Sequence, residues 1–555
     1  MGDTDNQQFG GTRRQILAAM GATAAVGAAG CVGDGGDGDE FVAAVGANPD
    51  TFDPTIIADA ASNAVVGTLA YEGLLDLTFD LAEFRPALAT DWERLDETTY
   101  RFELREGVTF HTGDEFVAED VAFSIERMRG TTNDATVAWI EAVEILDDHE
   151  IEIRSMQPHA PALNDLSAVP ILPHGADGVS ETPEADDHRF DEESLGTGPF
   201  VLELFQPEDR VELGPFEDYW WDGAEHPGTA PWDRVVFRVI PEQVSQEEAM
   251  LAGELDMIDN AAPFDLEQWE DERPEVIVGD SVGFDFVSYP VGVSPFDNET
   301  FRRGLTRLIP RGEIIEAIFG GNAVELGGPI SPGLSDFWDA EHERRLLSEF
   351  VGEDREEATA LLETAFEEES IDRPFELTLI TNVNRTRERW MEVIQQTLDD
   401  TEFFDAELDV RAFDDLVPFL LDPDGAAAST DIVGIGWTGG SDPDGHVDQI
   451  LHSDNVVPDG FNWNLYENDS VDALIDEGQQ TIDTAERRSV YHDLQEVLAE
   501  EVPEAFMWTG DAIDVVDPDA FESVDDWHPH PNASLRYTAL YRPTVDVVAG
   551  PPEEA

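Results

Sequence analysis

Carboxylates constrain this chain more than any other feature. Its 555 residues carry 123 Asp and Glu against 30 basic residues, a formal net charge of −93, and every basic residue is Arg. A field of that sign repels phosphate, which excludes a nucleic-acid binder working by phosphate neutralisation and disfavours docking on an anionic membrane face. Charge on this scale often marks disorder. Here, though, 41% apolar residues, with 12 Trp and 31 Phe, supply the core that a disordered chain lacks. In molar salt the screening length falls to about 3 Å, so most of the self-repulsion disappears while the carboxylates keep the surface hydrated. The composition therefore reads as adaptation to a salt-saturated compartment, and stability is expected to rise with salt. The length allows several domains with large cores.

The N-terminus reads as an address. Thr12-Arg13-Arg14-Gln15-Ile16-Leu17 precedes an Ala/Gly-rich run from Ile16 to Ala29 that is too short and too weakly apolar to span a bilayer. Residues 1–30 resemble a twin-arginine export signal. The signal ends at Ala28-Ala29-Gly30-Cys31, similar to a lipobox with Ala28 where Leu is usual. Cys31 is the only cysteine, which excludes an intrachain disulfide and a Cys-rich metal site. It is the expected lipidation site, and residues 31–40 (VGDGGDGDE after Cys31) the expected tether.

Beyond residue 40, strand and helix patterns interleave irregularly. RFELR (Arg101 to Arg105) and IEIR (Ile151 to Arg154) alternate as half-buried antiparallel strands do. FVAAV (Phe41 to Val45), VVFRVI (Val235 to Ile240), FELTLI (Phe375 to Ile380) and DIVGIGW (Asp431 to Trp437) are short apolar runs of strand type. Val117, Val121, Ile125 and Met128 recur at helical spacing behind the capping candidates Thr112 and Asp114. Trp390, Ile394 and Leu398 form a second stripe, and Val490, Leu494, Val497 and Leu498 a third. No repeat and no long linker divides the chain. This predicts a mixed α/β protein whose lobes are discontinuous in sequence.

Several ordered blocks then point one way. Pro86-Ala87-Leu88-Ala89-Thr90-Asp91-Trp92 is followed by the run from Tyr100 to Gly113 (YRFELREGVTFHTG) and by Ala118 to Ser124 (AEDVAFS). Leu69 to Leu75, Gly196 to Phe200 (GTGPF), Asp218-Tyr219-Trp220 and Leu251 to Asp256 complete the set. With these the chain, from about Phe41 to Tyr541, resembles the extracytoplasmic solute-binding proteins of ABC importers, family 5, the oligopeptide-, dipeptide- and nickel-binding class, here of the haloarchaeal lipoprotein type.

The resemblance implies an α/β, two-lobed periplasmic-binding-protein-like fold of type II, in the large three-domain form with a ligand cleft between the lobes. Lobe 1 is expected from residues 41–75, 191–288 and 511–555, its extra domain from 76–190, and lobe 2 from 289–510. The implied function is capture of a peptide or similar organic solute by hinge closure, with delivery to the ABC permease membrane subunits. The protein is expected to act as a monomer held to the outer face of the cell membrane by lipid on Cys31, without a cofactor, a metal or nucleic acid.

Departures from the family pattern bear on the solute. Peptide-binding members place an Asp three residues after a Trp to pair with the peptide's amino group. Here Trp437 is followed by Gly440, and the segment GWTGGSDPD looks one residue short. Either Asp442 takes that role or no such carboxylate exists. Pro310 stands where the family usually has Asp, a change expected to affect a turn between helices. Asn384 and Arg385, ending the FELTLI strand, are cleft candidates, since an Arg fork can clamp a carboxylate. Trp437, Trp463, Asn464 and Tyr466 offer aromatic faces with polar handles. The ligand-binding set is thus Trp437, Asp442, Arg385, Asn384, Asn464 and Tyr466. His528 and His530 lack a third ligand at metal spacing. No HExxH, GxSxG or GxxxxGK[ST] motif occurs. A secreted hydrolase using paired carboxylates, a structural cell-surface protein and an oligosaccharide binder are the competing readings.

Overall fold

The computed structural model describes residues 40–520, apart from 58–59, 79–80, 82, 181, 184–187, 222–231, 260, 264–265, 267–268, 270–273, 280, 426–428, 459 and 519. The export signal, Cys31, the tether up to residue 39 and the His528–Pro531 segment lie outside the described residues.

The apolar run EFVAAV forms the strand Glu40–Val45, parallel to Arg234–Val239 on one side and to Met257–Ile258 on the other. Antiparallel neighbours widen this sheet to seven strands, with Phe200–Gln206 at one edge and Glu275–Gly279 at the other. Its core gathers Phe41, Phe200, Trp232 and Phe237, with the rings of Phe41 and Trp232 5.5 Å apart. Gly196 and Gly198 press closely on this core. A Cβ on Gly196 would lie 1.9 Å from the Ala70 carbonyl oxygen, and one on Gly198 2.5 Å from that of Leu69.

The alternating segments build a separate four-stranded antiparallel sheet in the order Ala89–Arg94, Thr99–Leu104, Glu150–Ser155, Ile140–Asp147. Helix Ala118–Met128 packs its Val121, Ile125 and Met128 stripe with Phe102, Ile151 and Ile153 in a core of its own. The cap differs from the expected one. Asp120 accepts the Val117 amide at 2.7 Å, while Thr112 and Asp114 bond each other in the preceding turn.

The third large sheet has six strands in the order Ala323–Glu325, Glu504–Gly510, Phe284–Ser288, Ile432–Trp437, Phe375–Asn382, Phe404–Arg411. Helix Arg385–Asp399 lies on it through Trp390, Met391, Ile394 and Leu398. Gly434 makes that fit: a Cβ there would sit 2.5 Å from both Met391 Sδ and the Trp390 ring. Trp390 meets Trp508 edge to face at 5.4 Å and 86°, an arrangement that adds about 0.5–1.5 kcal/mol to the burial of two indoles.

Among the described residues, two short connections join the seven-stranded and six-stranded sheets. Glu275–Gly279 of the seven-stranded sheet leads into Phe284–Ser288 of the six-stranded one, and Glu504–Gly510 returns through Asp511 into Ala512–Val516. Phe284–Ser288 is thus already a strand of the six-stranded sheet. Thr509 Oγ1 donates to the Ser281 carbonyl at 3.3 Å, tying one connection to the other. A pair of adjacent short crossings between rigid cores is the arrangement of a hinge.

Candidate functional site

Parallel strands place ligand sites at their carboxyl ends. In the six-stranded sheet Phe375–Asn382 and Ile432–Trp437 run parallel, with Thr381 opposite Gly434. Both therefore end on one edge. The first delivers Asn384 and Arg385 there, and the second Trp437 and the glycine-rich loop after it.

Each of these side chains has a definite employment. Asn384 caps helix Arg385–Asp399: its Oδ1 accepts the Arg387 amide at 3.0 Å, and its own amide donates to Glu388 at 3.2 Å. Arg385 Nη1 reaches Glu247 Oε1 at 2.8 Å, on helix Gln243–Leu251 of the first lobe. Arg387 turns back over the sheet, donating from Nε to Asp285 Oδ1 at 2.9 Å and from Nη1 to Asn382 Oδ1 at 3.0 Å. Asp285 Oδ2 also accepts Trp508 Nε1 at 3.2 Å. Gly436 leaves the space Arg387 fills, since a Cβ there would lie 2.1 Å from its Nη2.

Trp437 is half-buried, its Nε1 donating to the Gly445 carbonyl at 2.8 Å and its ring 5.7 Å from that of Phe461. The loop beyond it is tightly folded. Gly440 has a φ of 78°, the left-handed region glycine tolerates best, with open space where a side chain would begin. Its carbonyl accepts His446 Nε2 at 3.0 Å. Burial drives the His446 pKa down to about 4, so the imidazole is neutral near pH 7. Asp442 caps the turn Pro443–His446 through the Asp444 amide at 2.9 Å. Both its oxygens are also taken by Arg487, at 2.6 and 2.7 Å. A carboxylate so engaged is a structural anchor for the loop.

Asn464 and Tyr466 lie elsewhere. Trp463 Nε1 donates to Ser288 Oγ at 3.1 Å. Ser288 pairs with Val433, whereas Trp437 pairs with Phe284. Four strand residues separate the two positions, about 13 Å along the sheet. Asn464 and Tyr466 are 2% and 4% exposed: Asn464 Nδ2 faces Glu504 Oε1 at 3.3 Å, and the Tyr466 hydroxyl donates to Glu501 at 2.7 Å. The structure thus gathers Trp437, Asp442, Asn384 and Arg385 at one edge of the lobe and keeps Asn464 and Tyr466 in its interior at the other end.

The edge that holds Trp437 faces the other lobe. Besides the Arg385–Glu247 pair, Ser441 Oγ donates to Asn164 Oδ1 at 2.6 Å, and the Ala160 amide donates to the Gln479 carbonyl at 2.6 Å. Asn164 lies on helix Ala162–Ala168, whose Ala162 and Leu166 belong to the core of the four-stranded sheet. Among the described residues these contacts hold the two lobes together around this edge. Glu247, Asn164 and Gln479 escape a reading of the sequence because no motif marks them.

A family model described as bacterial extracellular solute-binding proteins, family 5 Middle, matches residues 83–457. The chain belongs to this family. The family 5 protein is 24% identical over 497 residues to heme-binding protein A of Haemophilus influenzae, covering 83% of this chain and 86% of that one. With the dipeptide-binding protein of Escherichia coli it shares 26% identity over 498 residues, 82% of this chain and 86% of the other. Among solved structures, NikZ from Campylobacter jejuni in complex with Ni(L-His) superposes with a TM-score of 0.76 at 19% identity, over 91% of this chain and 99% of that one. DppA from Helicobacter pylori in complex with the peptide STSA gives 0.76 at 22% identity, over 91% and 97%. The two-lobed fold follows from these likenesses. Family membership makes the chain an extracytoplasmic solute-binding protein of the ABC importer class, and not an enzyme. Among the described residues no helix is long and apolar enough to cross a membrane.

Proposed function

We propose that this family 5 protein is the lipid-anchored receptor of an ABC importer, taking a peptide or a related organic solute between its lobes and handing it to the permease when they close. The observation that carries this reading is the contact of two separately cored lobes around the Trp437 edge, joined by two short crossings. The relatives named for heme, a dipeptide and a peptide complex support an organic solute of that size. We assign residues 41–75, 191–283 and 511 onwards to the first lobe, 76–190 to its extra domain and 284–510 to the second. Trp437 is the aromatic wall of the cleft and Arg385 part of its rim. With Gly440 in place of the family's amine-binding Asp and Asp442 occupied by Arg487, a solute's ammonium group finds no free carboxylate at that loop position. The receptor acts as a monomer outside the cell, held by lipid on Cys31 after export, in a salt-rich medium.

Native mass spectrometry of the protein purified from its own cells tests this. A co-purified species with the mass of a short peptide or similar organic molecule is the expected result. Protein that carries no such species and shows no ligand-dependent rise in melting temperature across peptide libraries would overturn the reading.

A further inference from the structure

The seam where the extra domain meets the second lobe collects more negative charge than its cations can balance. From the extra domain come Asp165 and, bonded to it at 2.7 Å, His159 Nε2. From the second lobe come Asp442, Asp444 and Asp448, with Arg487 bonded to Asp442. Gln479 Nε2 lies between Asp444 Oδ2 and Asp448 Oδ1, 3.3 Å from each, while the Gln479 carbonyl accepts the Ala160 amide from across the seam. Asn164, next to Asp165, bonds Ser441. The remaining facing groups are Asn455, which donates to Asp448 at 3.0 Å, then Tyr491, His446, His452 and Asp476. His446 is neutral. Even with both His159 and His452 protonated, three cations (with Arg487) face five carboxylates, Asp165, Asp442, Asp444, Asp448 and Asp476, in a place largely closed to water. Asp444 Oδ1 is sealed from solvent without a hydrogen-bond partner. An unpaired buried carboxylate oxygen is disfavoured in its charged state, and a proton removes the charge.

We propose that bringing the lobes together takes up a proton in this seam, shared among Asp165, Asp444 and Asp448, so that closure, and with it solute capture, is favoured as pH falls. Burial raises the pKa of all three, Asp444 most strongly, with Asp448, Asp442 and Asp165 adding their repulsion to it. When the lobes part, Asp165 leaves with the extra domain and water returns to both faces, so the values fall back towards those of ordinary carboxylates. The closed form then binds more protons than the open one, and linkage requires lower pH to favour it. Each proton taken up changes the closed-to-open ratio by at most about tenfold per pH unit.

The proposal rests on hinge closure, and the test separates the two. Small-angle scattering is recorded on the full chain in molar KCl from pH 8.5 to 5, after unfolding and refolding have removed any co-purified molecule. The radius of gyration is expected to shrink as pH falls. Asp444→Asn, which mimics the protonated state, should be compact throughout that range, and Asp165→Asn should flatten the profile from the other side of the seam. Near-ultraviolet circular dichroism establishes that each variant is folded, and the second variant carries the test if the first is not. Two compactness levels that interconvert independently of pH in the parent chain would overturn the proton linkage alone. A single invariant radius in the stripped and in the as-purified protein would overturn hinge closure as well.

Discussion

Arg487 is the residue whose loss should be felt most, because it holds the loop after Trp437 in place. Its side chain is 6% exposed and that of Asp442 13%. It gives two hydrogen bonds to Asp442, one from Nε to the Gly478 carbonyl at 2.8 Å and one to the Tyr491 hydroxyl at 3.2 Å. The guanidinium also lies 5.3 Å from the ring centroids of Phe337 and Tyr491. Arg487→Met keeps the apolar bulk but leaves Asp442 charged, largely buried and close to Asp444. Removing one partner of such a pair costs about 3–5 kcal/mol, with about 1 kcal/mol more for the carbonyl left without its donor. Neutralising the abandoned carboxylate should recover much of this, so the double variant Arg487→Met/Asp442→Asn is expected to be more stable than Arg487→Met alone. Arg487→Lys keeps the charge but not the two-pronged grip and should fall between. Denaturant unfolding in molar KCl, followed by tryptophan fluorescence and far-ultraviolet circular dichroism, measures all four proteins, with the transition of the second lobe analysed separately where the lobes unfold apart. A loss below about 1 kcal/mol for Arg487→Met, or a double variant no more stable than the single one, would refute the assignment of Arg487 as the clamp of this loop.

Other consequences can be checked alongside it. Trp437→Ala should weaken binding of the solute identified by mass spectrometry while leaving circular dichroism unchanged, and equal affinity would remove Trp437 from the cleft. Gly434→Val should lower stability by about 1–3 kcal/mol, the cost of overpacking, because its Cβ would land on Met391 and Trp390; an unchanged melting temperature would show that the helix can slide. Melting temperature should climb from dilute buffer to molar KCl, as the screening length drops from about 30 Å at 0.01 M to about 3 Å at 1 M, and a flat or falling curve would remove salt adaptation as the reason for the charge of −93.

What could be read from the sequence, and what could not, divides by the range of the interaction. Strands such as Glu40–Val45 and Phe375–Asn382, and the stripe Trp390, Ile394, Leu398, announce themselves because burial imposes a period that a short window reveals. The cap at Asp120 lies a few residues beyond Thr112 and Asp114, because these equally good capping types bond each other instead. Asn384, Arg385, Trp437 and Asp442 do converge on one edge, since the ends of parallel strands are placed by the sheet itself. Asn464 and Tyr466 follow Trp463 closely and carry the same chemistry, yet strand register puts their neighbour Ser288 four residues from the partner of Trp437. Register is a long-range property, and a single sequence does not display it.

The same distinction governs Asp442, and through it the identity of the guest. A carboxylate near the expected position looks available until the chain returns, dozens of residues later, with an arginine that takes both its oxygens. Nothing within the loop signals that partner. Once Arg487 is in place, the loop has spent its positive charge on Asp442, and the carboxylates left over, Asp444 and Asp448, lie in the seam shared with Asp165. The consequence is a division of labour along one short segment. Gly440 brings no charge to its side of the loop, while the residues just beyond it concentrate charge where the lobes meet. On the function proposed above, selection would rest on the Trp437 wall and the shape of the closed cleft, and on the proposed proton linkage the electrostatics would act on closure itself.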